Sequence, residues 1–116
     1  MGVCNVRIRA IPKKLLIHSA THKYNPQDDG YGNKTYTSVS LSYVRIEPSS
    51  AIVVGKDNIE HKLTSTLFFD CENSTPAGHS FDEQELIDFN GDTYTIVSID
   101  KLYDNNRLHH WELGLE

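Results

Sequence analysis

The sequence predicts an all-β fold: a small antiparallel β-barrel, or a barrel-like sandwich, with long loops and at most one short helix. Three observations point there. Along 116 residues, runs rich in β-branched, aromatic and aliphatic residues recur, a composition that suits a pleated, half-buried surface. Clusters of Gly, Pro, Asn and Asp separate these runs at regular spacing. No stretch shows the apolar repeat of a long amphipathic helix. Closing such a sheet also removes edges that would otherwise invite aggregation.

Each element follows in order. Residues 1–12 read as an N-terminal arm of mixed polarity, and Arg7, Arg9, Lys13 and Lys14 in and beside it as a solvated basic cluster. Lys14 to Tyr24 runs without a Gly or Pro break and is expected to be strand one. Asn25-Pro26-Gln27-Asp28-Asp29-Gly30-Tyr31-Gly32-Asn33 is dense in turn formers and reads as a loop. Lys34 to Glu47 is strand two. Its apolar positions fall at Val39 and Leu41, then at Val44 and Ile46, a change of parity that implies a bulge near Ser42. The same shift recurs between Tyr94 with Ile96 and Val97 with Ile99.

Pro48-Ser49-Ser50 closes strand two, and Ala51 to Val54 followed by Gly55-Lys56-Asp57-Asn58 reads as a projecting hairpin. Leu63 to Cys71 alternates, broken only by Phe68, and is a further strand. Glu72 to His79 is a loop. Ser80 and Glu83 have capping-box spacing, so Asp82 to Glu85 is the one place for a helical turn. Leu86 to Phe89, Asn90-Gly91 and Asp92 to Tyr103 form the clearest hairpin signal in the chain. After the turn at Asp104 to Arg107, Leu108 to Leu115 is the last strand, with His109, Trp111, Leu113 and Leu115 on one face.

The length suits one domain spanning 1–116. Hydrophobic residues make up 38% and charged residues 23%, enough for a packed core. Sixteen acids against 11 Lys and Arg give a net charge of -5, which repels a phosphate backbone and disfavours nucleic acid as a tight partner. No apolar run approaches the ~20 residues that span a bilayer, and no secretion signal is expected. Val6 stands where an acylation motif needs Ser or Thr. Cys4 and Cys71 are too few for a disulfide framework, which fits a reducing compartment.

Signals for chemistry are weak. His18 and His22, four residues apart in a strand, would be separated by about 13 Å, too far for one ion. His109 and His110 should face opposite sides. A metal site built from distant strands with His61, His79 or Asp70 stays open, against polar, partly exposed histidines as the simpler account. Neither cysteine nor any serine lies in a nucleophile-elbow motif. Asp82, Glu83, Glu85 and Asp88 read as a solvated charge run. Asn73-Ser74-Thr75 and Asn33-Lys34-Thr35 match a glycosylation acceptor but read as polar loops. Tyr36, Tyr43, Phe68, Phe69, Tyr94 and Tyr103 are expected mostly in the core, with a minority at a subunit interface.

Five segments in order resemble the small minor capsid proteins encoded in the head-tail module of tailed phages and prophages of Gram-positive bacteria. They are Ile11-Pro12-Lys13-Lys14-Leu15-Leu16-Ile17-His18, Val44-Arg45-Ile46-Glu47-Pro48-Ser49-Ser50, Leu67-Phe68-Phe69-Asp70-Cys71-Glu72-Asn73-Ser74-Thr75-Pro76, Phe89-Asn90-Gly91-Asp92-Thr93-Tyr94-Thr95-Ile96-Val97 and Leu108-His109-His110-Trp111-Glu112-Leu113. The resemblance implies a non-enzymatic connector component without a cofactor, similar to head-closure (stopper) proteins. These are β-barrels that ring the exit below the portal and adaptor, retain packaged DNA and dock the tail. It further implies a homo-oligomeric ring, monomeric in solution, at the head-tail junction of a virion assembled in the host cytoplasm. Genomic DNA would pass without specific binding, and no membrane would be involved.

In relatives of that type an extended loop gates the channel. Here the Pro48 to Glu60 segment and the Asn25 to Asn33 loop are the expected gating or partner-contact elements. Their residues are Asp28, Asp29, Tyr31, Val53, Lys56, Asp57 and Glu60. Three alternatives stay open at this point: a tail-completion or tail-terminator ring, a small single-stranded nucleic-acid-binding barrel, and a metal-dependent hydrolase.

Overall fold

A computed structural model describes residues 9–116. Part of the expected arm, residues 1–8, lies outside them. A 3-10 turn at Lys13–Leu15 precedes the strands β1 (His18–Asp28), β2 (Lys34–Pro48), β3 (Ile52–Val54), β4 (Glu60–Lys62), β5 (Ser65–Asp70), β6 (Leu86–Phe89), β7 (Asp92–Asp104) and β8 (Arg107–Leu115). The expected all-β architecture is what the chain adopts. Six strands close into an antiparallel barrel in the order β1-β2-β5-β8-β7-β6, and β3 pairs with β4 as a separate two-stranded sheet. No helix among the described residues is long and apolar enough to cross a membrane.

Period-two alternation fills the barrel. On β5 Ser65, Leu67 and Phe69 point inward, and on β8 His109, Trp111, Leu113 and Leu115 do, as their parity predicts. Leu41, Val44, Leu67, Phe69, Ile87, Ile96, Trp111, Leu113 and Leu115 form the centre of one apolar cluster. Closure rests on the shortest pairings. β6 meets β1 through Thr21–Asp88, His22–Ile87 and Lys23–Leu86 only, and an ion pair from Lys23 to Asp88 at 2.8 Å lies along that seam.

Both parity changes mark bulges. Between His18–Val44 and Ala20–Leu41, β2 spends one residue more than β1, and Tyr43 takes a left-handed φ of 56°. Between Ile96–Leu115 and Ser98–Gly114, β7 holds the extra residue, which lets Ile96 and Val97 both be buried.

Four expectations change. Strand one starts at His18 rather than Lys14, because the chain after Pro12 turns through Leu15 N–H to Pro12 O (2.9 Å) and Leu16 N–H to Lys13 O (3.0 Å), which buries Leu16. The Asn25 to Asn33 loop shrinks to its tip. β1 continues through Pro26 to Asp28 opposite Thr35 and Lys34, and a register shift between Tyr24 and Gln27 absorbs the proline in a strand that has no other neighbour there among the described residues. No helical turn forms at Asp82 to Glu85, since Gln84 adopts a φ of 72° and the Glu85 carboxylate itself accepts the Asp82 N–H at 2.7 Å. The β3–β4 hairpin lies against the barrel instead of projecting: Lys56 N–H donates to Glu83 Oε1 (2.8 Å), and just past β4 Thr64 N–H donates to Leu115 O on β8 (2.9 Å). A Cβ on Gly55 would sit 2.5 Å from the Val97 carbonyl, so this contact accepts only glycine.

What does project is the β1–β2 ribbon. Both strands leave the barrel beyond Tyr24, which makes the molecule 64 Å long but only 29 and 25 Å across.

Ile87 is the fully buried residue of the four-residue β6. Ile87→Ala should cost about 2–5 kcal/mol, read from urea denaturation. In native-state hydrogen exchange the β6 amides should open before those of β5 and β8, whose ladders on both sides are longer than the three-pair seam to β1. Equal protection of β6 and β5 would contradict the weak-seam account.

Candidate functional site

Three regions hold the polar chemistry of this chain: a histidine-centred cluster inside the barrel, the chain segment that delivers it, and two outward elements. Inward positions of β1 are Ala20, His22 and Tyr24, so His22 enters the core where an aliphatic residue would be ordinary. Its side chain is fully buried and must be hydrogen-bonded to be tolerated there. Nδ1 lies 2.6 Å from His79 Nε2, and Nε2 lies 2.8 Å from Glu85 Oε1.

Burial lowers the His22 pKa from 6.5 to about 4, so the ring is neutral at pH 7. One proton must then serve two partners. It sits on Nε2, donating to the Glu85 carboxylate, while Nδ1 accepts from the N–H of His79. His79 is also pushed down, first by burial and then by His22. Burial pushes Glu85 up, against the Asp82 N–H that it accepts. Because His22 spends both nitrogens on different neighbours, the three groups form a chain rather than a cage. Among the described residues no three His, Cys, Asp or Glu side chains are grouped to hold a metal. Neither hydrogen-bond partner of His22 is a hydroxyl or a thiol. The arrangement fixes a segment in place.

That segment, 71–85, connects β5 to β6. Asp70 starts it from a fully buried position, accepting N–H bonds from Glu72 (3.1 Å), Asn73 (2.8 Å) and Ile11 (3.0 Å). Ser74, also buried, donates to the Tyr43 carbonyl, and Thr75 exchanges both backbone bonds with Ser42 at the β2 bulge (3.0 and 3.1 Å). The Thr75–Pro76 peptide is cis. Phe81 then inserts into the barrel, with its ring 4.8 Å from His22, 5.3 Å from Phe69 and 5.4 Å from Trp111. Phe81 is an aromatic plug whose polar collar is His22, His79 and Glu85.

The expected long-range set of His61, His79 and Asp70 does not come together. His61 bridges Asp57 (2.8 Å) and Glu116 (3.1 Å), where the Asp57 hydrogen bond raises its pKa and ties the β3–β4 hairpin to the chain end. His109 and His110, expected on opposite faces, meet through their Nδ1 atoms at 2.7 Å. His109 Nε2 lies 2.6 Å from Arg9 O, which holds the start of the described chain against β8.

The seven expected gating or contact residues fall into two groups. Asp28, Asp29 and Tyr31 occupy the ribbon tip. Val53, Lys56, Asp57 and Glu60 occupy the β3–β4 hairpin, where Val53 is half-buried and the other three are exposed. At the tip, Asp29 accepts the N–H groups of Tyr31 (2.7 Å) and Asn33 (3.3 Å), and these bonds hold its carboxyl below the usual range. Gly30 and Gly32 adopt φ of 83° and 84° on either side of Tyr31, which is 89% exposed. On the hairpin Ile52, Val54 and Ile59 are exposed apolar side chains, and Lys56 pairs with Asp82 at 3.2 Å.

An unforeseen feature lies on the outer face of β2 and β5. Phe68, the residue that breaks the β5 alternation, points outward and lines a pocket of about 290 Å³ with Ile11, Leu15, Arg45 and Glu47.

A family model described as "Minor capsid protein" matches residues 12–115. No curated protein and no solved structure matches the chain.

The His22 collar makes the fold acid-sensitive with a defined sign. Its folded pKa lies below its unfolded one, so the unfolded chain binds more protons between pH 6.5 and about 4. Stability is complete above that window and lost as pH falls through it. His79 acts in the same direction, and Glu85, raised above 4.5, opposes both at the acid end. Urea denaturation from pH 7 to 4 should show a loss on the order of 3 kcal/mol, and His22→Gln should flatten it.

Proposed function

The chain belongs to the minor capsid protein family, and from that premise we propose that it forms the head-closure ring of a tailed phage, at the joint between head and tail. As a capsid-family protein it is a structural component of the virion. Its ring would sit below portal and adaptor proteins, retain packaged DNA and present a docking surface to the tail. The observation that supports this most is the surface of the barrel. A closed barrel has no need of outward apolar residues, yet Ile52, Val54 and Ile59 on the hairpin and Leu102 and Tyr103 near the β7–β8 turn stand more than a third exposed. Such patches suit contacts with neighbouring copies and with the proteins above and below.

Charge supports the same reading. With a net charge of -5 and acids on the hairpin (Asp57, Glu60), an element bordering a channel would repel phosphates, so the genome slides past instead of sticking. The hairpin would border the channel as a fixed element: Lys56 at its turn binds Asp82 and Glu83, and His61 on β4 binds Glu116.

Electron microscopy of particles assembled without this protein tests the reading. Tailless heads that have lost their DNA are expected. Full heads beside tails of uncontrolled length would assign it to tail completion or termination instead.

A further inference from the structure

We propose that the ribbon tip is the anchor by which one copy grips the next: Tyr31 of one subunit seats in the outer-face pocket lined by Ile11, Leu15 and Phe68 of a second copy. This deepens, and rests on, the ring assembly proposed above.

The tip is built as a knob. Asp28 and Asp29 accept the N–H groups of Gly30, Tyr31 and Asn33, so the loop is pre-ordered, and two left-handed glycines thrust the tyrosine between them into solvent. A pre-ordered, exposed aromatic loses little freedom on binding, which is what makes tyrosines effective interface anchors. Among the described residues nothing covers it: Tyr31 is 89% exposed.

The pocket is built as the complement. Its floor is apolar, from Ile11, Leu15 and Phe68, and its 290 Å³ admits an aromatic ring. Its surroundings are basic. Lys13 and Lys14 flank Leu15 in sequence, Lys13 lies over the Tyr43 ring at 4.7 Å, and Arg45 lines the wall. One acid, Glu47, is engaged by Arg45 at 2.6 Å. The acids at the knob, Asp28 and Asp29, therefore meet a surface of opposite sign, which sets orientation and encounter rate.

Geometry decides that the two halves belong to different copies. Leu15 lies just before β1 and the tip lies at its far end. Eleven strand residues at ~3.3 Å each span roughly 36 Å, so a tip cannot reach the pocket beside its own root. Knob and pocket are different surfaces, so the contact is heterologous and propagates head to tail, closing into a ring when the rotation per subunit allows.

The test uses the full chain with Cys4→Ser and Cys71→Ser, carrying Lys34→Cys beside the tip and the exposed Ile17→Cys beside the pocket together, so that Tyr31 and the pocket lining stay in place. Oxidised in assembled particles and in concentrated solution, it should give a ladder of disulfide-linked multimers, while either cysteine alone gives none. Tyr31→Ala should weaken association roughly tenfold or more, Tyr31→Phe should retain it, and Lys13→Glu with Lys14→Glu should weaken it. Absence of the ladder, or linkage of Lys34→Cys to another virion protein instead, overturns the proposal. Microscopy of wild-type particles separates the two readings. A ring at the head-tail joint without the ladder would spare the proposed function and reject this contact, and a ladder without that ring would do the reverse.

Discussion

The architecture depends on a seam three residue pairs long. Five of the six junctions in the barrel are made by strands that follow the polypeptide's own hairpins or pair over four or more residues; the β1–β6 junction has Thr21, His22 and Lys23 against Asp88, Ile87 and Leu86. Without it the sheet is open, with two bare edges. Three interactions reinforce it: the Lys23–Asp88 ion pair outside, burial of Ile87 inside, and the hydrogen-bonded chain from His22 to Glu85 just before β6. The histidine is therefore more than a tolerated polar residue in the core. It couples the strand on one side of the seam to the segment that leads into the other, and the Phe81 ring sits beside it as filler.

A buried imidazole does this better than an aliphatic side chain because it specifies a partner as well as filling volume. Val or Leu at position 22 would pack against whatever entered the barrel. His22, neutral and with one proton, demands an acceptor on one side and a donor on the other. Glu85 and His79 meet both demands only when segment 79–85 is correctly threaded. That selectivity carries a cost in acid, where the ring would gain a second proton.

Much of the fold was legible in the sequence, for physical reasons that particular residues make plain. Strand identity came from alternation at Leu63 to Cys71 and Leu108 to Leu115, and bulges came from parity changes at Ser42 and Val97, because a one-residue slip moves side chains to the other face. Boundaries were less legible. Pro26 reads as a loop former, but a ribbon with solvent on its far side has no ladder bond there to lose. The histidine collar was invisible for a different reason: His22, His79 and Glu85 are separated by 57 and 63 positions, and nothing in a local pattern reports which residues a barrel brings together. Two lone aromatics did give signals. Phe68, out of phase in its strand, was noticed in the sequence; Phe81, a lone ring in a polar connection, was the signal passed over.

The ribbon has mechanical implications of its own. Beyond Tyr24 it runs as two strands that, among the described residues, have no third neighbour, with few buried side chains and an irregularity near Pro26. Its strand length beyond Tyr24 is four residues, about 13 Å at ~3.3 Å each, so a swing of about 10° there would carry the tip roughly 2 Å sideways while leaving the loop's own hydrogen bonds untouched. The barrel can thus stay rigid while the ribbon tip shifts beside it.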